Sequence, residues 1–512
     1  MKRPPHRVGW RGPTLAGLCA GVTLIGLSWP LVQAPTQWVF GASHNDAHGI
    51  LWGLQRVAEH VAQGQLPPRE TTDIGFPDGV IVQVANLTEA IIATPITMTL
   101  GAVAAFNALT LMHHMLSAAT GFWCARRLGA HSGGAALVAS ACALAPQLAA
   151  TTFNQNPDVS AWYWIPLTIG LAWRAAHPRA VLGAAACVLG ASLCSPYAGV
   201  MAAVAFACTI PWEARRSVAA AWAVALAGLG LGWALYGHPA SLPGSATAKV
   251  ARDSTLHGVT RPLDLLTPWP HIQTQDSGWS AAVVADFSYL GIAIVLLSIW
   301  GMWRRPNGRL ALMALSALTL AIGPGWSLFA QVEALTALTK LHLSHRYTFL
   351  AVVALALVGA RALGQRTSWL AAALVTAEFM AVTGPQMYRP AAPFDDGACA
   401  LLADLPKGAV LDLPGERGEQ WLWSAACHGR PTAASLNRAM SPGLEAQLRS
   451  TPESSQLSLL HRAGFRYIVD HGRSPRRELG DWPGLIRSAK KCTVASNRQE
   501  VRVMDLQACA PH

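Results

Sequence analysis

Charged side chains are what this sequence has least of: 13% of its 512 residues are Asp, Glu, Lys or Arg, against roughly 25% in an ordinary soluble domain. The shortage is local. Residues 133–153, 218–236, 287–303 and 310–332 hold no charge at all, whereas the chain from 386 onward has a soluble composition. Uncharged runs of roughly 17–25 residues match the hydrocarbon core of a bilayer. Short alternating apolar segments are missing, which excludes a β-barrel and leaves helices as the way to satisfy backbone groups in lipid. Internal repeats, low-complexity tracts and C-x-x-C pairs are missing too, which argues against repeat architectures and a cysteine-based zinc site.

What charge there is leans basic, with a net +11. Many of these residues lie in short loops between apolar runs and not on one patch. That is the positive-inside pattern of a membrane protein, so no nucleic-acid partner is expected. Lys2, Arg3, Arg7 and Arg11 precede the apolar run 13–33, which is long and ends on no clear cleavage site. We expect a retained first helix with a cytoplasmic N-terminus.

Placing the basic clusters inside gives about eleven transmembrane helices. They fall at 13–33, 103–125, 133–153, 160–176, 180–195, 197–212, 217–236, 286–303, 310–332, 347–364 and 367–385. Residues 34–81 become a first outer loop and 237–285 a second. Residues 82–101 are apolar enough to embed, but a crossing there would put Arg126 and Arg127 outside. Asn86 and Glu89 near its start also favour an interfacial or re-entrant helix. The expected fold is an α-helical polytopic membrane protein, residues 1–385, carrying an extracytoplasmic α/β domain, residues 386–512.

In that tail, 409–413, 465–469 and 501–506 read as short strands and 417–427 and 454–463 as helices. Cys399, Cys427, Cys492 and Cys509 all lie there, and an even number in an oxidising compartment suggests two disulfides. Three connectivities are open, of which Cys399–Cys427 with Cys492–Cys509 is the expectation. Free thiols in a cytoplasmic domain are the alternative.

The first outer loop opens with Ser43-His44-Asn45-Asp46-Ala47-His48. Asp46 sits where an N-cap would, worth about 1 kcal/mol to the helix after it. Two flanking histidines could instead hold a divalent metal or tune the carboxylate, although positions i and i+2 on a helix point apart. Gly75-Phe76-Pro77-Asp78-Gly79 reads as a turn. Asn154 to Asp158 is a second polar knot, in which Asp158 either caps the next helix or faces Asp46 across a cavity. Arg346, beside His345, enters an outer helix end against the positive-inside trend. It either snorkels or captures a lipid phosphate, with Lys340 and His342 adding to the field. His113, His114 and Glu378 are ionisable groups within apolar helices, costly in lipid and functional candidates by default. For the two histidines, packing within the bundle is the plainer account.

This order of features resembles the GT-C superfamily of polytopic glycosyltransferases: one helix, an outer loop with an early Asp, an amphipathic stretch Leu51 to Gly64, the Phe76–Gly79 turn and an embedded helix. Ala125 to Gly129, a small-residue helix ending near Pro146 and the Asp158 loop fit the same superfamily, and Ser344-His345-Arg346-Tyr347 with the tail run Pro406 to Pro414 looks like its bacterial YfhO-type branch. The resemblance implies transfer of a sugar from a polyprenyl-phosphate donor to a glycan, lipid or protein acceptor at the outer face of the bacterial inner membrane. It makes Asp46 the general base of an inverting displacement and Asp158 a second acid positioning acceptor or metal. Arg346 would hold the departing phosphate, with His44, His48 and His345 as further substrate contacts. Many family members carry a second acid directly beside the first, whereas Asp46 is flanked by Asn45 and Ala47. A divalent metal (Mg or Mn), with Asp46 and His48 as ligands, is the weaker part of the implication. Two other classes compete: a transporter or flippase for a lipid-linked sugar, suggested by the helix break at Ser195-Pro196, and a non-catalytic envelope-assembly protein.

Overall fold

A computed structural model describes residues 9–41, 45–67, 70–81, 86–173, 178–210, 215–236, 260, 262–268, 271–277, 280–322, 344–391, 397–413, 418–434, 440–471, 482–498 and 500–509. For Asn45, Asp46 and Asp158 the backbone alone is described. The chain is predominantly helical.

Helix α1 (Arg11–Leu27) lies along α4 (Ala102–Arg127). Small residues set their separation: a Cβ on Gly17 would stand 3.0 Å from the Met115 carbonyl oxygen. Helix α5 (Ser132–Ala143) packs between α4 and the later α13 (Thr348–Ala362) and α14 (Gln365–Thr383). Ala102–Arg127 and the broken run Ser132–Phe153 are long and apolar enough to cross a bilayer; the other apolar helices described are shorter. Their outer faces are oily, with Val22 70%, Leu370 73% and Trp303 76% exposed. Water penalises such a surface and lipid does not.

Several expected spans are interrupted. The run 133–153 bends at Pro146, where α6 (Pro146–Phe153) takes over, because proline cannot donate to the preceding turn. The span expected from residue 160 starts later, as α7 (Trp164–Ala172), and Asp158 sits in a separate 3-10 turn, Pro157–Val159, not on a helix cap. Helices α8 (Pro178–Cys194) and α9 (Pro196–Thr209) break at Ser195, and α10 (Arg215–Tyr236) comes next. Helix α12 (Gly308–Ala321) covers the first part of 310–332, the remainder of which lies outside the described residues. The second outer loop contains an antiparallel ribbon, β3 (His271–Ser277) with β4 (Ser280–Asp286).

Residues 82–101 supply α3 (Leu87–Leu100), which spans about 21 Å and is too short for a core of about 30 Å. Gly101, at φ +89°, then reverses the chain into α4. Glu89 and His113, equally far from Gly101 in sequence, touch each other, so α3 doubles back along α4.

The tail holds a four-stranded sheet in the order β5-β6-β8-β7, from β5 (Ala409–Leu413), β6 (Phe465–Asp470), β7 (Thr493–Ser496) and β8 (Arg502–Asp505). Strands β5 and β6 are parallel, joined through α16 (Gly418–His428), α17 (Pro442–Ser450) and α18 (Glu453–Arg462); the other pairs are antiparallel. Disulfides join Cys399 to Cys427 and Cys492 to Cys509, with Cα atoms 5.9 and 5.4 Å apart.

Candidate functional site

The segment 34–41, expected to open the first outer loop, is pinned at its base before the chain reaches Asp46. The Asn107 side chain of α4 accepts from Phe40 N at 3.1 Å and donates to Pro35 O and Trp38 O at 2.8 and 2.7 Å. Both amide hydrogens and the amide oxygen are thus engaged in fixing that one stretch of backbone. Gly41 comes next at φ +88°, so close to α6 that an added Cβ would collide with the Thr152 carbonyl oxygen. Gln155, in the Asp158 loop, donates to Gly41 O at 3.3 Å. The segments leading to Asp46 and to Asp158 are therefore in contact. Helix α2 (Asn45–Ala62) then starts one residue before Asp46, which places Asp46 in the first turn and not at the cap. His44 lies outside the described residues, and His48 is buried where α2 packs on α3, α4 and α16.

The Asp158 turn rests on a buried polar chain. Ser160 Oγ donates to Pro157 O at 2.9 Å, closing the turn from below. His113 Nδ1 is 2.8 Å from the same Oγ, and its Nε2 is 2.6 Å from Glu89 Oε2. With its own proton given to Pro157, Ser160 Oγ can accept from His113 Nδ1, so the ring bridges Ser160 and Glu89. Glu89 also receives Tyr163 OH at 2.9 Å and the Asn86 amide, and Asn86 accepts from Glu89 N at 3.3 Å as the α3 cap. The fully buried Glu89 carboxyl is thus met by side chains from three separate segments of the chain. Sequence reasoning left Glu89 as an interfacial marker and missed the chain. Its signal was isolation: Glu89 is the one acidic residue between Asp78 and Asp158.

Arg346 lies in the 3-10 turn Ser344–Tyr347, 7% exposed, with its guanidinium 4.6 Å from the Tyr197 ring centroid. Its Nε is buried with no hydrogen-bond partner among the described residues. His345 is buried beside it, and Thr348 Oγ1 donates to its carbonyl at 2.5 Å. Lys340 and His342 lie outside the described residues. Trp162, four residues past Asp158, packs tilted against Phe349, three past Arg346, with ring centroids 4.6 Å apart, and both turns pack on α9.

Two other ionisable candidates have structural work. His114 turns away from His113 and bridges Ala143 O (2.6 Å) to Thr152 Oγ1 (2.9 Å), holding α4 to α5 and α6. Glu378 accepts from Tyr289 OH at 2.5 Å and from the amides of Ile292 and Ala293 at 2.7 and 3.1 Å. It thereby caps α11 (Ile292–Arg304), whose first amides lack partners within the helix.

The tail joins the first outer loop on one side of the bundle. Val39 and Ala391 exchange backbone hydrogen bonds of 2.9 Å. The Gly75–Gly79 turn is a clamp: Gly75 N donates to Ala434 O at 2.7 Å, and Phe76 meets Phe465 edge-on at 5.0 Å. Deeper in the tail, Asp412 accepts from Thr432 Oγ1 at 2.8 Å and lies 3.1 Å from His471 Nε2. Burial lowers the neighbouring His428 to a pKa of about 4, against the pull of Asp412 and with help from Arg430 and His471.

Among the described residues, no three His, Cys, Asp or Glu side chains gather as a metal site. The structure thus defines a predominantly helical protein with an oily exterior, in which the segment around Asp46 touches both the Asp158 loop and the tail. No family model and no curated protein matches the chain. A crystal structure of ArnT from Cupriavidus metallidurans in the apo state aligns over 98% of this chain and 99% of its own, at 13% identity and a TM-score of 0.43. A likeness that loose says nothing about chemistry, which has to be argued from the residues themselves.

Proposed function

We propose that this protein is an integral membrane glycosyltransferase of GT-C type, moving a sugar from a polyprenyl-phosphate donor to an envelope acceptor at the outer face of the inner membrane. One observation carries the reading: the segments bearing Asp46, Asp158 and Arg346 are tied together, Gly41 against Thr152 and Trp162 against Phe349. A base and a phosphate-binding cation that converge at a lipid interface are what this chemistry requires.

In the proposed step Asp46 takes the proton of an acceptor hydroxyl, whose oxygen attacks the anomeric carbon of the sugar. The bond from that carbon to the phosphate oxygen breaks, and its electron pair leaves with the lipid phosphate. Arg346, a cation with an unsatisfied Nε, receives the charge that develops there. Asp158 orients the acceptor. His44, His48 and His345 are further substrate contacts in the same reading, and a divalent metal would be held by Asp46 with His48. Sidedness draws on the disulfides, which persist in oxidising compartments, and on the clamp that ties the tail to the first outer loop.

The test is Asp46→Asn in membranes supplied with radiolabelled polyprenyl-phosphate sugars. Transfer should fall by about 100-fold or more while protein accumulation is unchanged. Undiminished transfer by the variant would remove Asp46 from the chemistry.

A further inference from the structure

Helices α1, α4, α5 and α14 leave between them a cavity of about 530 Å³ that opens to the exterior. That is the size of a small-molecule site. Its walls are mostly small side chains, among them Ala16, Ala20, Ala136 and Ala139, with Phe122 and Trp369 toward one end. Along α1 it runs from Gly12 to Thr23, about 16 Å, close to the depth of one leaflet. Its rim is oily, with Leu15 62% exposed.

One end of this groove is basic. Arg11 lies one turn before Leu15, Arg126 one turn beyond Phe122 and Arg366 one turn before Trp369, so helical spacing places three arginines at the same end of the groove. Arg11 and Arg366 are exposed, and Arg126 gives one of its nitrogens to Ala130 O at 2.7 Å. Residues 1–45, 90–157 and 334–377 contain no Asp or Glu, so the four helices supply no carboxylate to this mouth. Glu378, the next acid on α14, is engaged in capping α11.

We propose that the groove seats one acyl chain of an anionic phospholipid, with the headgroup phosphate among Arg11, Arg126 and Arg366. The fit is charge complementarity above an apolar slot one leaflet deep. The basic mouth lies at the opposite end of α1 and α4 from the Asn107-pinned loop that leads to Asp46. The lipid is thus a resident component and not the sugar donor, and its binding does not depend on the transferase reading.

The experiment uses the full-length protein in mild detergent, offered phosphatidylglycerol or phosphatidylcholine of identical chains, with bound lipid counted by native mass spectrometry. Phosphatidylglycerol should be retained about tenfold better, as expected for two or three arginines near a lipid phosphate. Arg11→Glu with Arg366→Glu, both on the surface, should reduce it to the phosphatidylcholine level. Ala136→Phe, which fills the slot, should lower retention of both lipids. Equal retention of the two lipids by the unaltered protein would overturn the proposal, as would charge-reversed protein that still prefers phosphatidylglycerol. Stoichiometric displacement of phosphatidylglycerol by polyprenyl phosphate would also overturn it, by giving the groove to the donor.

Discussion

Glu89 Oε2 and His113 Nε2 meet at 2.6 Å with both side chains out of reach of solvent, joining a helix that doubles back in the bundle to the one beside it. Glu89→Ala would leave His113 and Tyr163 facing an empty acceptor position. Breaking a buried pair from one side costs about 3–5 kcal/mol, whereas replacing both partners with apolar groups costs much less. Thermal unfolding in detergent should therefore show a larger loss for Glu89→Ala than for Glu89→Leu combined with His113→Leu. Equal losses would mean that the pair is not coupled.

Gly41 and Gly64 both have positive φ, +88° and +73°, but differ in surroundings. A Cβ at Gly64 meets nothing within 4 Å, while one at Gly41 strikes Thr152 O. Alanine at either site carries the left-handed strain, of order 1–3 kcal/mol. Gly41→Ala adds a collision that pushes the Asp46 segment off the Asp158 loop. Sugar transfer should accordingly fall sharply in Gly41→Ala and little in Gly64→Ala at matched protein levels. Matching activities would show that this contact does not set the site.

The uncharged runs located helices in sequence because lipid removes charge from a whole segment at once. Their breaks at Pro146 and Ser195 are readable as proline positions, since proline cannot continue the hydrogen-bonded turn before it. The strands β5 and β6 stood out as buried apolar runs, while β7, Thr493–Ser496, did not, because as a mostly exposed edge it carries no such pattern. Within the site, Asp46, Asp158 and Arg346 were conspicuous as polar residues at apolar borders. The Glu89–His113–Ser160 chain was not, since its members sit far apart in sequence and only the reversal at Gly101 brings the first two together. The Gly75–Gly79 clamp was hidden for a similar reason: a turn looks the same whether it faces water or, as here, gives Asp78 to Ser441 at 2.5 Å.

Arg346 sits in a setting that charge alone does not satisfy. Its guanidinium lies over Tyr197 and its Nε is free to donate among the described residues. Lysine at this position keeps the charge but loses the planar fork and the stacking. Arg346→Lys should reduce transfer by about tenfold and Arg346→Ala by more, since charge-assisted fork contacts are the stronger class. Kinetics on membranes with a fixed donor concentration would decide. Full activity in the lysine variant would reduce the role of Arg346 to a point charge.

His428 gives the tail a pH dependence whose sign can be worked out. Its imidazole is lowered from 6.5 to about 4 chiefly by burial, and Arg430 N donates to its Nδ1 at 3.1 Å, which requires that nitrogen to be unprotonated. In the unfolded chain the same group takes up its proton near 6.5. Between these values the unfolded state binds more protons, so stability rises with pH across the window. The contribution, on the order of 3 kcal/mol, is complete above about pH 6.5 and is lost as pH falls toward 4. Limited proteolysis of the tail at a series of pH values should show acid sensitisation, and His428→Gln should flatten that dependence. The neighbouring Asp412–His471 pair remains in the variant, so the difference between the two slopes isolates His428. Identical slopes would assign the acid sensitivity to another group.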